Sequence, residues 1–190
     1  MFIKNMRLKE KFEKEIIFEM QKKFNYKNLM QVPKIEKVVV NVGFGRMVVE
    51  KTKEEQEKIK NELSKILAQI TGQKPAFCSA KKAISAFKTK KGMIIGAKVT
   101  LRKKRMFDFL EKLINIVLPR LRDFKGLNPK SFDKQGNFSF GINELIAFPE
   151  ILPEEVKIHF GLQITIKIKG HKTKEEAVEL LRLLGFPFKK

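Results

Sequence analysis

The sequence predicts an α+β fold, in which an antiparallel β-sheet carries helices packed on one face and a long basic hairpin loop. Apolar residues recur at helical spacing in some stretches and alternate with polar residues in others. The resulting order is α-β-α-β-β-α-β-β-α, and such a mixture of hairpins and helices favours one antiparallel sheet whose other face is free for a ligand. With 190 residues and 43% hydrophobic composition, the chain can bury a core, and we expect a single domain over residues 1–190.

The chain begins with an amphipathic helix followed by a buried strand. Apolar residues recur every fourth position among Lys and Glu; they are Leu8, Phe12, Ile16, Met20 and Phe24. Ile35 to Val42 is β-branched and predicts a strand. Gly43-Phe-Gly45 follows it, but a third glycine is missing and Met47 begins no convincing helix, which favours a tight turn over a dinucleotide loop.

The second helix begins at a capping box, Thr52 with Glu55, and Gly72 ends it. Its apolar stripe is Ile59, Leu63, Ile66 and Ile70. Pro75 to Ser79 and Met93 to Arg102 then predict two strands. The residues between them are too polar on both faces for a core element. We call Lys81 to Gly92 the tip and expect it to form the end of a long hairpin.

The remaining elements are a third helix, two strands and a last helix. The third helix should place five residues inside: Phe107, Leu110, Ile114, Val117 and Leu121. Phe138 and Phe140 alternate with polar residues in one strand, as do residues 162–168 in the next. Thr173 with Glu176 predicts a second capping box at the start of the last helix.

The positive charge is concentrated in one span of the chain. The formal net charge is +20, and no acidic residue lies between Glu62 and Asp108. Twelve basic residues lie there: Lys65, Lys74, Lys81, Lys82, Lys88, Lys90, Lys91, Lys98, Arg102, Lys103, Lys104 and Arg105. Charge of one sign repels itself unless a polyanion neutralises it, and nucleic acid is the commonest one. In the tip, five lysines flank Phe87, which suits contact with folded RNA through phosphates and one stacked base. A solvated surface is the alternative.

The sequence offers no constellation for catalysis and none for a metal or another cofactor. It has two histidines and a lone Cys78, without partners at metal-ligand spacing, and one cysteine forms no internal disulfide. No apolar run approaches the roughly 18 residues that span a bilayer. The N-terminal acids Glu10, Glu13 and Glu15 argue against a transit peptide. We therefore expect a non-enzymatic protein of a reducing cytoplasm, without a membrane partner.

Ten short motifs resemble one family over nearly the whole chain. In order they are Phe24-Asn-Tyr26, Met30-Gln-Val-Pro33, Asn41-Val-Gly-Phe-Gly45, Gly72-Gln-Lys-Pro75, Lys98-Val-Thr-Leu-Arg102, Arg120-Leu-Arg-Asp-Phe124, Ser131-Phe-Asp133, Gly136-Asn-Phe-Ser139, Phe148-Pro-Glu-Ile151 and Phe186-Pro-Phe-Lys189. Each motif alone is weak, but their shared order and spacing make the match specific. The chain resembles the bacterial-type large-subunit ribosomal protein five family.

The resemblance implies a structural protein that binds 5S rRNA in the central protuberance of the large ribosomal subunit. The positions that match the family's 5S contacts are Asn41, Gln73, Thr100 and Arg102, beside which we place Lys74 and Lys98. The family's hairpin tip reaches the P-site tRNA. The matching positions here are Lys81, Lys82, Phe87, Lys88, Lys90 and Lys91. Further partners that the resemblance implies are large-subunit rRNA, neighbouring 5S-binding ribosomal proteins and a small-subunit head protein.

The chain departs from the family's pattern at several positions. The family often has glycine where this chain has Ala86 and Lys103, and a lysine at position 103 argues against a turn with φ > 0 there. Lys134-Gln135 replaces a common Gly-Arg pair. Two other functions stay open: a free regulatory or chaperone-like RNA-binding protein, and an enzyme acting on RNA, which the lack of His, Asp or Glu in the basic span disfavours. An organellar ribosome is an alternative to a bacterial one.

Overall fold

The computed structural model describes residues 7–49, 51–122, 124–152, 154 and 160–189. Its centre is a five-stranded antiparallel sheet with the strand order β2-β3-β1-β5-β4. The strands are β1 Lys34–Gly43, β2 Ala76–Ser79, β3 Ile94–Leu101, β4 Phe138–Ile142 and β5 Leu162–Lys169. The predicted α+β class is therefore confirmed. Within the described ranges, no helix has both the length and the apolar character needed to cross a bilayer.

In the described part of the chain, five helices accompany the sheet. Helix α1 consists of Leu8–Lys11, a π-helical turn Phe12–Ile16 and Ile17–Phe24. Helix α2 is Gly45–Val48, and α3 is Lys53–Thr71. Helix α4 consists of Lys103–Lys112, a π-helical turn Leu113–Val117 and Leu118–Arg120. Helix α5 is Lys174–Leu183. Short 3₁₀ turns occupy Leu29–Gln31, Ser85–Phe87, Pro129–Ser131 and Leu145–Ala147.

The π-helical turn in α1 explains why apolar residues spaced four apart can share one face. In an α-helix of 3.6 residues per turn, each step of four residues advances by about 40° around the axis. A π-helical turn has wider hydrogen-bonded loops and therefore more residues per turn, so it reverses this drift. Leu8, Phe12, Ile16 and Met20 are all buried, and Phe24 is half-buried.

By its internal contacts the chain divides into two compact units. Unit 1 contains Met1–Val38, Leu101–Phe140 and Thr165–Lys190; unit 2 contains Val39–Thr100 and Gly141–Ile164. Strands β1, β3, β4 and β5 each contribute residues to both units, β3 only through Leu101.

In unit 1, helices α1 and α4 pack against each other. The Phe12 and Phe107 rings lie 5.8 Å apart, and the Leu8 backbone N–H donates to the Glu111 carboxylate at 3.4 Å. The residues that α4 buries differ from the prediction. They are Met106, Phe109, Leu110, Leu113, Val117 and Leu118, whereas Phe107 and Ile114 are half-buried and Leu121 follows the helix end. The helix is apolar on several sides, so spacing alone did not identify its inner face.

In unit 2, helix α3 covers one face of the β2–β3 hairpin. The Lys60 ammonium lies over the Phe77 ring, 5.1 Å from its centroid. Phe77 is paired with Ala97, which is fully buried. The next pairs along the hairpin, Ala76 with Lys98 and Cys78 with Gly96, therefore lie on the opposite face.

The helix caps match the prediction at α3 and depart from it at α5. Thr52 and Glu55 form the complete capping box. At α5, the Thr173 hydroxyl accepts from the Glu176 N–H, but the Glu176 carboxylate accepts from the Lys172 N–H at 2.7 Å. Glu176 is buried beside Tyr26, which is also buried. Burial and the neighbouring carboxylate raise the pKa of the Tyr26 phenol.

Two backbone expectations were wrong. Gly45–Val48 forms a one-turn helix where a simple turn was expected. Lys103 has φ = +53°, so the left-handed conformation occurs at this position although the residue is not glycine. In the tip, positive φ angles occur at Lys88 (φ = +49°), two residues after Ala86, and at Gly92 (φ = +85°). The local path of the chain dictates these angles more strongly than the preference of the residue does.

Candidate nucleic-acid interface

Three of the predicted RNA-binding side chains lie on the face of the unit 2 sheet that faces away from α3. Asn41 lies between the buried Val40 and Val42 of β1. On β3, Lys98 and Thr100 alternate in the same way with buried residues. Because side chains of a strand alternate between its faces, these three point away from the core. Strands β1 and β3 are neighbours in the sheet.

Gln73 joins this group through the end of α3. Helix α3 ends at Gly72 in the left-handed conformation, with φ = +65°. The Gln73 N–H then donates to the Thr71 hydroxyl at 3.3 Å, and the Gln73 side-chain amide donates to the Thr100 carbonyl at 3.4 Å. The glycine turn and these hydrogen bonds hold Gln73 at the end of β3, and Lys74 follows it, exposed.

Arg102 belongs to unit 1 and lies two residues beyond Thr100 in the chain. It is exposed and directly precedes α4. The first turn of α4 contains no acidic residue, and three further exposed basic residues follow Arg102, namely Lys103, Lys104 and Arg105. Cations at a helix N-terminus are electrostatically unfavourable, so this segment is suited to an anionic partner. Sequence reasoning selected only Arg102 from this group, although the run of charge also marked its neighbours.

The polar groups on the unit 2 face have few partners within the protein. Among the described residues, nothing forms a hydrogen bond with the Asn41 side-chain amide or the Thr100 hydroxyl. Over the same ranges, no carboxylate forms an ion pair with Lys74 or Lys98. These groups are therefore available to a ligand.

The polar strand residues of unit 1 behave differently, because they pair with one another. The Lys167 ammonium lies 3.1 Å from the Glu36 carboxylate, and the Ser139 and Thr165 hydroxyls are 2.9 Å apart. The hydrogen bond from Lys167 lowers the pKa of the Glu36 carboxyl. The sequence showed polar residues on all three of these strands, but it did not reveal which of them were already paired.

The tip residues selected for RNA contact are all exposed, while the backbone of the tip is ordered by its own hydrogen bonds. Ile84 and Thr89 exchange two backbone hydrogen bonds of 3.1 and 3.2 Å around the 3₁₀ turn. At the base, the Gly92 N–H donates to the Ala80 carbonyl at 2.9 Å. Lys81, Lys82, Phe87, Lys88, Lys90 and Lys91 all lie on the surface.

The tip also presents apolar surface. Phe87 is 63% exposed and Ile84 is 47% exposed. Sequence reasoning selected Phe87 and missed Ile84, which the same acid-free, lysine-rich context would have suggested. Two apolar side chains among lysines suit a ligand that combines phosphates with ring faces, as RNA does.

The described part of the chain contains no group of three His, Cys, Asp or Glu side chains arranged to hold a metal ion. What the site offers chemically is hydrogen bonding, positive charge and apolar contact. Together these serve the binding of a polyanion.

Comparison with known families finds two family models that match the chain, one after the other. Residues 28–90 match the family model described as ribosomal protein L5, and residues 94–188 match the model described as the C-terminus of the same ribosomal family. The boundary between the two models falls at the end of the tip.

Several relatives are similar over almost their full length, and each is named large ribosomal subunit protein uL5. The protein from Thermosipho melanesiensis is 53% identical over 183 residues, which cover 96% of this chain and 97% of that protein. That from Thermotoga maritima is 52% identical over 183 residues, or 96% of each chain. That from Halothermothrix orenii is 49% identical over 181 residues, or 95% of this chain and 97% of that protein. The fold, the ordered motifs and these two model matches agree: the chain belongs to the ribosomal protein L5 family.

Proposed function

We propose that the chain is a structural protein of the large ribosomal subunit and that it binds 5S rRNA through the surface of unit 2 that faces away from α3, together with Arg102. The observation that carries this proposal is the set of polar side chains left without partners on that surface, Asn41 and Thr100 above all. The names of the relatives, which are large-subunit ribosomal proteins, support the assignment to that subunit.

The six residues would contribute to binding in two ways. The neutral ones would recognise the folded shape of the RNA, and the charged ones would bind its phosphates. Asn41, Gln73 and Thr100 are neutral and can hydrogen-bond ribose hydroxyls and base edges of folded RNA. Lys74 and Lys98 supply phosphate contacts, which add affinity and make it depend on salt. Arg102 offers a planar guanidinium that can bind a phosphate with two hydrogen bonds.

Binding to isolated 5S rRNA tests the assignment. We expect a 1:1 complex, weakened by added salt, and an Arg102→Ala variant that loses about 1–3 kcal/mol of binding free energy. The double variant Asn41→Ala, Thr100→Ala should also bind more weakly. The matched control is Ser139→Ala, Thr165→Ala, which removes two strand hydroxyls that bond each other. Equal losses in the two double variants, or equal affinity of the wild type for tRNA and 5S rRNA, would refute the site.

We propose further that the tip contacts a second RNA, the P-site tRNA. Its six residues, Lys81, Lys82, Phe87, Lys88, Lys90 and Lys91, are exposed, and the tip contributes little to the core. A loop that buries few apolar groups gains little stability from its own fold, which fits a role in contacting a partner.

Replacing Lys88, Lys90 and Lys91 by alanine should leave folding and 5S binding nearly unchanged. On assembled ribosomes it should weaken the retention of P-site tRNA, and each lost phosphate contact should lower the salt slope by roughly one unit. A control triple variant removes three exposed lysines elsewhere: Lys14, Lys22 and Lys27. If the tip instead binds 5S rRNA or neighbouring large-subunit rRNA, the tip variant will fail to enter the subunit while tRNA binding on the few assembled particles is normal.

The same proposal extends to the remaining partners: large-subunit rRNA, neighbouring 5S-binding ribosomal proteins and a protein of the small-subunit head, on ribosomes of the cytoplasm. Sedimentation in high salt separates this role from that of a free regulatory or chaperone-like RNA-binding protein. A structural component stays with the large subunit, whereas a free RNA-binding protein is released.

A further inference from the structure

We propose that unit 2 has a separate binding groove, at the base of the tip, that takes one unstacked RNA nucleotide. The groove has a volume of about 280 Å³ and is walled by the first turns of α3, by α2 with its preceding residue, and by residues 92–94. None of its lining residues belongs to the six assigned to 5S rRNA or the six assigned to tRNA. The inference therefore does not rest on either assignment.

The groove has an apolar side that suits the face of a base. Phe44, Val48, Met93 and Ile94 line it, and the first two are almost fully buried. Met93 and Ile94 are half-buried, so part of their apolar surface is accessible. Recognition of single-stranded RNA uses apolar and aromatic side chains against base faces, since every base has one.

Two lysines on α3, Lys53 and Lys60, give the groove positive charge at its wall. Gly92 has φ = +85°, and a Cβ there would meet no atom within 4 Å, so the rim is open for a close approach to the backbone. This arrangement offers phosphate contacts beside an apolar floor, as a nucleotide requires.

Among the described residues that line the groove, Glu57 is the one carboxylate, and it also fits this occupant. A carboxylate repels a phosphate but accepts hydrogen bonds from the exocyclic amino groups of bases. The neighbouring Gln56 side-chain amide donates to the Val48 and Lys51 carbonyls at 3.0 and 2.9 Å. Its N–H groups are therefore already bonded within the protein, and they stabilise the groove wall. We therefore expect bases with an amino group to be favoured over uracil.

The test uses the full-length chain, isotope-labelled for NMR, and the four nucleoside 5′-monophosphates as probes. We expect saturable shifts at residues 53, 57, 60 and 92–94 for AMP, GMP and CMP, and at least twofold weaker binding of UMP. Inorganic phosphate should shift the tip lysines without saturating the groove residues. Equal responses to phosphate and to all nucleotides would overturn the proposal. Saturation by N-acetyl-leucinamide with no response to nucleotides would overturn it too, because the groove would then accept a protein side chain.

Variants of exposed α3 side chains supply the second measurement. Glu57→Ala should abolish the preference for amino-bearing bases, and Lys53→Ala should weaken all four nucleotides by severalfold. The matched controls are Glu54→Ala and Lys58→Ala, exposed residues of the same helix that do not line the groove. Groove variants that behave like their controls would contradict the site, whatever the outcome of the 5S rRNA experiments.

Discussion

Lys103 carries a β-carbon in a backbone region that favours glycine. Its φ of +53° places it in the left-handed region, at the junction of β3 and α4. For a residue with a side chain this conformation costs roughly 1–2 kcal/mol. The surrounding structure must supply that energy, and residues held in this way concentrate at functional sites.

We predict that Lys103→Gly raises the free energy of unfolding by about 0.5–1 kcal/mol. Relief of the left-handed conformation outweighs the larger loss of chain entropy that glycine brings. Urea denaturation measures the change. Lys104→Gly is the control, because it removes the same charge one residue later, where φ is not positive, and should instead destabilise by up to about 1 kcal/mol. Equal destabilisation by both substitutions would show that the conformation at Lys103 is not strained.

Sequence reasoning named the residues of the candidate site, whose role in binding stays a prediction, but it did not describe their backbones or pairings correctly. The matching motifs singled out Asn41 and Thr100, and the structure leaves both without side-chain partners among the described residues. Lys103 was misjudged because the rule that side chains avoid positive φ is local, whereas the angle is set by the path from β3 to α4. Likewise, the pairing of Glu36 with Lys167 depends on strand neighbours that a linear sequence does not reveal.

Among the elements, the strands and the two ends of α3 were predicted from the sequence, whereas the π-helical turns were not. The alternation of apolar and polar residues predicted β5, and Thr52 and Gly72 predicted the two ends of α3. The turns Phe12–Ile16 and Leu113–Val117 were not predicted. Each adds a residue to a helical turn, and only packing of the whole apolar face decides whether that is favourable.

The loop before β4 is held by Asp133, which accepts three hydrogen bonds. They come from the Gln135 N–H at 2.9 Å and from the Asn137 N–H and side-chain amide at 2.7 Å each. Gly136 lies in this loop with φ = +71°, and a Cβ there would collide with the His171 ring. Burial acts to raise the pKa of the Asp133 carboxyl, but the hydrogen bonds outweigh it, so the pKa is lowered.

We predict that this loop makes folding stability fall in acid. Because the folded pKa lies below the unfolded value, the Asp133 carboxylate contributes its full stabilisation above about pH 4. That contribution is lost as the pH falls through the folded pKa. The difference in unfolding free energy between wild type and Asp133→Asn should therefore be largest near neutral pH and shrink below about pH 4. Ser131→Ala, a non-titrating change nearby, should show a difference that is constant with pH. A constant difference for Asp133→Asn as well would contradict the prediction.

At the scale of the whole molecule, four strands contribute residues to both contact units. Val38 of β1 belongs to unit 1, and Val39 of the same strand belongs to unit 2. A strand cannot lose its structure on one side of such a point without disturbing its backbone on the other. That the chain acts as one domain accordingly stays our prediction.

We expect a single cooperative unfolding transition, measured by native-state hydrogen exchange. The slowest amides of residues 35–38 and 40–42 should report the same global free energy of unfolding and the same dependence on denaturant. Amides in the buried part of α3, residues 63–70, lie wholly within unit 2 and serve as the reference. Two distinct free energies, one for each unit, would show that the units unfold independently.

Tyr26 gives the molecule an unusual optical property. It is the chain's one tyrosine, and the chain has no tryptophan. Ultraviolet emission from the folded protein therefore comes almost entirely from one buried phenol ring in unit 1. Because the pKa of that phenol is raised, alkaline buffers do not readily convert it to the phenolate. The 17 phenylalanines absorb only weakly where nucleic acid bases absorb strongly, so an ordinary absorbance spectrum of a preparation reveals RNA that has copurified with it.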